Sequence, residues 1–77
     1  EAVEPLIVAL TDEQKRVRWF ASSALGLMGN ARAVEPLVAG LADEDEWVRK
    51  SVINSLKEIG TPEALAAVEQ WERENSQ

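Results

Sequence analysis

The sequence of 77 residues contains no cysteine and no histidine. Thiolate and imidazole groups are the usual ligands for zinc, copper and iron, and histidine is the commonest general base. Without them the chain lacks the side chains for thiol redox chemistry, for an ordinary zinc site and for a serine activated by histidine. We therefore predict a protein with no catalytic residues, no metal site and no cofactor.

Basic residues are also scarce. Lysine and arginine total 8 against 14 aspartates and glutamates, a formal net charge of −6. Binding to a phosphate backbone relies on basic side chains that replace counterions, so we predict no nucleic-acid partner. No apolar run approaches the roughly 18 residues that span a bilayer, and no segment has the pattern of a signal peptide. The sequence predicts a soluble chain with no membrane partner, and the missing cysteines are compatible with the cytosol but do not decide the compartment.

What the sequence does contain is an internal repeat. Residues 2–6, Ala-Val-Glu-Pro-Leu, recur as residues 33–37, an offset of 31 positions. The same offset pairs further identical residues: Leu10, Asp12, Glu13, Val17, Arg18, Leu25 and Gly29 with Leu41, Asp43, Glu44, Val48, Arg49, Leu56 and Gly60. We predict a single repeat domain over residues 1–77, with units at about 1–31 and 32–62 and a half unit at 63–77.

The first part of each unit has the apolar spacing of a short helix, i, i+3, i+4 and i+7. In the first unit these residues are Val3, Leu6, Ile7 and Leu10. Pro5 and Pro36 fall in the first turn, where a missing N–H is tolerated. The predicted short helices span about residues 2–11, 33–42 and 63–74.

A second, longer helix is predicted to follow in both complete units. Asp12 and Asp43 are suited to its N-cap, and Gly29 and Gly60 to the left-handed position after its end. On the first of these helices, helical spacing gives a buried side of Val17, Ala21, Ala24, Leu25 and Met28. Because the links are short, neighbouring helices must be antiparallel. We predict an all-α solenoid of five antiparallel helices in about two and a half helical hairpins.

Several segments carry a family resemblance. Residues 33–37 and 43–49, closed by Ile59 and Gly60, resemble the HEAT-like repeats of the phycobilisome-lyase type, and they are similar to the 31-residue units of alphaRep scaffolds. The resemblance covers nearly the whole chain and implies an α-solenoid. It implies either a non-catalytic module for protein–protein interaction or, alternatively, part of a phycobilin-lyase-like assembly that handles tetrapyrroles. Irregular differences between the units favour a natural sequence over a designed scaffold.

The same resemblance places a partner-binding surface on the concave face of the second helices. Side chains on that face differ between the units, whereas scaffold positions match. The predicted binding residues are Arg16, Trp19, Phe20, Ser23, Leu27, Trp47, Lys50, Asn54 and Glu58, and Lys15, Glu46 and Ser51 belong to the same surface. Its aromatic and aliphatic residues could anchor a protein partner or a second copy of the chain. The alternative is that these bulky residues pack in a thin core.

The two ends of the predicted stack differ. The last helix keeps Leu65 and Val68 at the positions of Val34 and Leu37, but its outer side is acidic, as a capping element requires. Trp71 is predicted to cover the last layer. The chain begins at Glu1 rather than methionine, so we expect a fragment or a processed product. We predict either self-association or a preceding repeat at the apolar flank formed by Val3, Leu6 and Ile7, with the stripe of Trp19 and Phe20 as a second candidate surface.

Two charged motifs have structural interpretations. Asp12 and Arg18 recur as Asp43 and Arg49, and we expect such an arginine to bond an aspartate or a helix end of the neighbouring unit. The acidic run at residues 43–46 is predicted to start a helix. A cation site is the weaker alternative, because the run lacks the central glycine of a calcium-binding loop.

Overall fold

Five α-helices account for most of the chain. The computed structural model describes residues 3–76, and within that range the helices are α1 (Val3–Ala9), α2 (Lys15–Met28), α3 (Val34–Gly40), α4 (Glu46–Ile59) and α5 (Pro62–Asn75), with a 3₁₀ turn at Ala31–Ala33. The all-α prediction is confirmed. The predicted start of the first helix at residue 2 lies outside the described residues, and α5 is as long as α2 and α4 rather than short.

The long helices end where the sequence predicts. Gly29 and Gly60 have φ angles of 66° and 71°, and each follows its helix in the left-handed conformation. Glycine adopts this conformation without the steric cost that a Cβ imposes. Gly29 therefore ends α2 before the 3₁₀ turn and α3, and Gly60 ends α4 before α5.

The starts of α2 and α4 differ from the prediction. Asp12 and Asp43 are not N-caps, because each accepts a hydrogen bond from the backbone N–H two residues later, at 2.8 and 2.9 Å. Such a bond makes a local turn that precedes the helix. The N-cap of α4 is Asp45, whose carboxylate accepts from the N–H of Val48 at 3.0 Å, and Gln14 takes the same position before α2 without a side-chain cap.

The helices stack as a slab of 37 × 25 × 15 Å. The main packing contact joins the two long helices, α2 and α4; α1 packs on α2, α3 on α4, and α5 against both α3 and α4. This layered order is that of a helical solenoid. The buried cluster along it is almost entirely aliphatic: Val3, Leu25, Ala33, Val34, Leu37, Leu41, Val48, Val52, Leu56, Ala64 and Val68.

Val3 belongs to this cluster, with 1% of its surface exposed. Its inclusion in an exposed apolar flank is therefore wrong. The first turn of α1 packs the Val3 side chain into the core, as Val34 does in the next unit. Leu6 and Ile7 are partly buried against the same cluster, so α1 presents less apolar surface than the sequence suggested.

The last helix shows the predicted capping pattern with one difference. Glu69 and Glu72 lie on its exposed side, and Trp71 packs half-buried against the cluster. Leu65 is 44% exposed although its counterpart Val34 is buried, because Ala64 and Val68 are the residues of α5 that enter the core. The helix thus covers the stack with small residues and the indole of Trp71.

A mostly buried ion pair joins the two units. The Arg18 guanidinium donates to both carboxylate oxygens of Asp43, at 2.7 and 3.1 Å, and to the carbonyls of Asp12 and Glu13 at 2.8 and 3.0 Å. The side chains of the pair are only 11% and 10% exposed. The predicted bond between units is confirmed, and it fastens the α1–α2 loop to the α3–α4 loop.

Each partner of this pair holds the other in its charged form. The hydrogen bond to Asp43 raises the pKa of Arg18. Burial by itself would raise the pKa of Asp43, but hydrogen bonds from Arg18 and from the backbone N–H of Asp45 outweigh it, and the pKa of Asp43 lies below its ordinary value.

Replacing the arginine tests how much the fold depends on the pair. We expect Arg18→Met to lower the free energy of unfolding by about 3 kcal/mol, because the Asp43 carboxylate stays buried without its partner. The matched control is Arg49→Met, at the repeat-equivalent position, where the guanidinium donates to the Asp43 carbonyl at 2.6 Å. Urea denaturation followed by circular dichroism measures both variants. Equal losses would contradict this account.

The lowered pKa of Asp43 also predicts a dependence of stability on pH. The unfolded chain binds a proton at this carboxylate more readily than the folded one, so the stabilisation is present at neutral pH and is lost as pH falls below about 4. We expect Asp43→Asn to be less stable at neutral pH but to lose less on acidification than the unmodified chain. Asp12→Asn, which removes an exposed aspartate, is the control and should retain the full acid loss. Parallel pH profiles for Asp43→Asn and the unmodified chain would refute the prediction.

Candidate functional site

A seam of small residues brings α2 and α4 unusually close. Ser55 donates a hydrogen bond to the Ser22 carbonyl at 2.5 Å, and the hydroxyls of Ser22 and Ser51 lie 2.6 Å apart. Gly26 completes the seam, since a Cβ there would lie 2.8 Å from the Cα of Ser55. The backbones of the two helices can approach this closely only because no larger side chain stands between them.

Above this seam, two indoles face the same depression. Trp19 comes from α2 and Trp47 from α4, and the two are 49% and 67% exposed. They are not repeat equivalents, since Lys50 follows Trp19 by 31 residues and Arg16 precedes Trp47 by 31. The first unit therefore supplies one aromatic wall and the second unit the other. We call the space between them the tryptophan cleft.

The tryptophan cleft has two connected parts that share both indoles. The part near the helix starts has a volume of about 380 Å³ and is lined by Lys15, Arg16, Trp19, Asp45 and Trp47. The part that continues along the helices has a volume of about 510 Å³ and is lined by Trp19, Ser23, Leu27, Trp47, Lys50, Ser51, Asn54, Ser55 and Glu58. Together they form an open groove over the seam of serines and glycine.

Charged side chains border this groove. Lys50 lies 3.6 Å from Glu46, and its Nζ is 4.9 Å from the centre of the Trp47 ring, in range for a cation–π contact. Lys15 lies 3.6 Å from Asp45 across the two helix starts. Both lysines are more than half exposed, so these ion pairs contribute little to stability and leave the side chains able to reorient.

Nearly all the predicted binding residues meet in this groove. The residues lining it include Arg16, Trp19, Ser23, Leu27, Trp47, Lys50, Asn54 and Glu58. The exception is Phe20, which does not line the cleft although it is 62% exposed. Its repeat equivalent, Ser51, packs against α2, so Phe20 lies on the opposite flank of α2 from α4. Its assignment to the concave surface is wrong for this reason.

One residue that the sequence predicts to be buried lies at the surface. Met28 is 43% exposed, whereas Ala21 and Leu25 are completely buried. Asp45 and Ser55 line the cleft, although the sequence did not indicate either of them as a binding residue. Asp45 reaches it because the starts of α2 and α4 lie side by side, a relation that follows from stacking rather than from the sequence of either helix.

The acidic run at residues 43–46 is occupied by structural contacts. Asp43 bonds Arg18, and Asp45 caps α4, so the interpretation as a helix start is confirmed with Asp45 as the cap. Within residues 3–76 no cluster of three acidic, histidine or cysteine side chains has the geometry to hold a metal ion. In the same range no helix is both long and apolar enough to cross a bilayer.

The comparisons with known proteins agree with this architecture. A family model described as HEAT repeats matches residues 3–77. No curated protein matches the sequence significantly.

The close contact under the cleft can be tested at Gly26. A Cβ there would lie 2.5 Å from Oε1 of Glu58 and 2.8 Å from the Cα of Ser55, which cannot rotate away. We expect Gly26→Ala to destabilise the fold by about 1–3 kcal/mol through overpacking, although alanine is the better helix former by about 1 kcal/mol.

Gly40→Ala is the comparison, because its Cβ would meet at nearest a side-chain atom, the Cγ2 of Val52 at 3.0 Å, and no backbone atom of another helix. Urea denaturation compares the two variants. An unchanged or increased stability of Gly26→Ala would show that the helices do not approach as described.

Proposed function

The chain belongs to the HEAT-repeat family, and from that premise we propose that it is a non-catalytic interaction module that binds a segment of a protein partner in the tryptophan cleft. HEAT repeats generally mediate protein–protein interaction through the faces of their stacked helices.

The observation that carries the proposal is the pair of exposed indoles across one groove. Trp19 is 49% exposed and Trp47 is 67% exposed, although burial of aromatic surface is strongly favourable. Tryptophans dominate binding energy when a partner covers them. An apolar side chain placed between the two rings would remove both from water at once.

The groove also suggests the chemistry of the segment. Its rim offers Arg16 and Lys50 near one end and Glu58 near the other. Between them, Ser23 and Asn54 supply groups that can donate and accept hydrogen bonds. This arrangement suits a peptide with a central apolar anchor, an acidic residue toward the helix starts and a basic one toward the helix ends.

Selection from a displayed library of random peptides tests this function. The strongest binders are synthesised, and their affinity for the protein is measured by fluorescence anisotropy. We expect Trp19→Ala and Trp47→Ala each to weaken binding by about tenfold or more, because each removes an anchor at the centre of the contact. Far-ultraviolet circular dichroism checks that both variants keep their helices.

Phe20→Ser is the matched control, since it removes an exposed aromatic ring outside the cleft. It should leave peptide affinity unchanged. Peptides that bind the tryptophan variants as well as the unmodified chain would refute the proposal. A saturable change in the absorbance of an added bilin would favour the alternative implied by the resemblance, participation in chromophore handling.

A further inference from the structure

Arg49 repeats the surroundings of Arg18 one unit later along the chain. Its Nη1 donates to the carbonyl of Asp43 at 2.6 Å, as Nη1 of Arg18 donates to the carbonyl of Asp12 at 2.8 Å. The two bonds are equivalent, because the same 31-residue offset separates the two arginines and the two aspartates. Each guanidinium is therefore held by the loop that precedes its own helix.

The two arginines differ at the other edge of the guanidinium. Nε and Nη2 of Arg18 donate to the two carboxylate oxygens of Asp43, at 2.7 and 3.1 Å. Arg49 is half-buried, and within residues 3–76 it forms no ion pair and donates only to the Asp43 carbonyl. The edge that binds a carboxylate in the first unit thus has no described carboxylate in the second.

The length of α5 explains this difference. The repeat equivalent of Asp43 is Glu74, 31 residues later. Asp43 lies in a loop beside Arg18, because α3 ends three residues before it, whereas α5 continues past Glu74. Glu74 accepts a hydrogen bond from Gln70 within α5, at 3.2 Å. In the described range, the chain therefore supplies no aspartate turn to Arg49.

An open pocket lies between Arg49 and α5. Its volume is about 420 Å³, and it is lined by Leu41, Ala42, Asp43, Arg49, Trp71 and Asn75. The side chains of Leu41, Ala42 and Trp71 make one side of it apolar. None of its lining residues lines the tryptophan cleft, so it is a separate surface. We call it the Arg49 pocket.

The filled site of the first unit indicates what suits the Arg49 pocket. Arg18 binds an aspartate in a turn, where the carboxylate also accepts from the backbone N–H two residues later, at 2.9 Å. A phosphate dianion suits the pocket less, because Asp43 lines it and Glu74 lines the adjoining groove. Both carboxylates repel a second negative charge on the ligand. A singly charged aspartate on a turn is the better match.

A second copy of the chain cannot supply this turn by repeating the internal link. In that copy the repeat equivalent of Asp43 is Asp12, which follows α1. The internal link places α3 before the bound aspartate, so the copied link would place α1 there. The position that α1 would take is already held by α5, the repeat equivalent of α3. This favours a turn from a different protein.

We propose that the Arg49 pocket binds an aspartate-containing turn of a partner protein, with its carboxylate paired to Arg49 as Asp43 is paired to Arg18. This binding does not depend on the function proposed for the tryptophan cleft, and either can fail without the other.

A peptide copied from the first unit is a suitable probe. Residues 8–15, Val-Ala-Leu-Thr-Asp-Glu-Gln-Lys, contain the other aspartate turn, in which Asp12 accepts from the N–H of Gln14 at 2.8 Å. Two acidic residues and one lysine give the peptide, with blocked ends, a net charge of −1. This small charge limits unspecific attraction to the other basic side chains.

A proton–nitrogen NMR titration of the protein with this peptide tests the proposal. We expect a saturable shift of the Nε–H resonance of Arg49 and none for Arg18, whose carboxylate site is filled. Asparagine in place of the peptide's aspartate should weaken binding by about tenfold or more, because the charged acceptor is lost.

Variants of the protein test the same contact, with the indole N–H of Trp71 as the readout because Trp71 lines the pocket. Arg49→Met should weaken binding by about tenfold or more. Arg49→Lys keeps the charge without the planar fork and should also weaken binding. Arg73→Met is the control, since it removes an exposed arginine of α5 outside the pocket, and it should leave affinity unchanged. Circular dichroism checks that each variant keeps its helices.

Several outcomes would overturn the proposal. They are the absence of a saturable shift at Arg49, equal affinity for the asparagine peptide, and equal affinity of Arg49→Met and the unmodified chain. A peptide that shifts only the indoles of Trp19 and Trp47 would assign such segments to the tryptophan cleft instead. Shifts of Arg49 that depend on protein concentration without peptide would show that a second copy fills the pocket.

Discussion

The close approach of α2 to α4 is the constraint on which the other features depend. Helices carrying ordinary side chains at their contact stay farther apart, but Gly26 and the seam serines allow backbone and hydroxyl groups to touch. This separation determines how far apart Trp19 and Trp47 stand. It also directs the remaining flank of α2 away from the stack, with Phe20 on it. The tryptophan cleft and the exposure of Phe20 are thus two results of one helix contact.

The ion pair of Arg18 and Asp43 fixes the register of α2 against α4. The small residues of the seam leave few bulky side chains to fix the position of one helix along the other. A bidentate ion pair allows a single register, because both carboxylate oxygens and the loop carbonyls must meet the same guanidinium. The aliphatic core supplies most of the favourable free energy, and the buried pair selects the arrangement in which that core closes.

The periodicity of the sequence was sufficient to predict where the helices lie along the chain. It was not sufficient to predict which side of each helix faces its neighbour. The 31-residue repeat and the terminating glycines Gly29 and Gly60 predicted the order of elements, because these signals are local. Phe20 was misplaced because a helical wheel gives angles within one helix and not the direction of its neighbour. Asp45 was missed for the same reason. Val3 was assigned to an exposed flank because burial of the first turn of α1 depends on tertiary contact with the core.

The placement of the indoles also makes the chain its own optical reporter. It has three tryptophans and no tyrosine, so its near-ultraviolet absorption and emission come almost wholly from indole. Trp19 and Trp47 stand in water at the cleft, whereas Trp71 is half-buried against the core under the last helix. Filling of the groove changes the surroundings of the first two indoles, and detachment of α5 changes those of Trp71, so variants that keep a single tryptophan distinguish the two events.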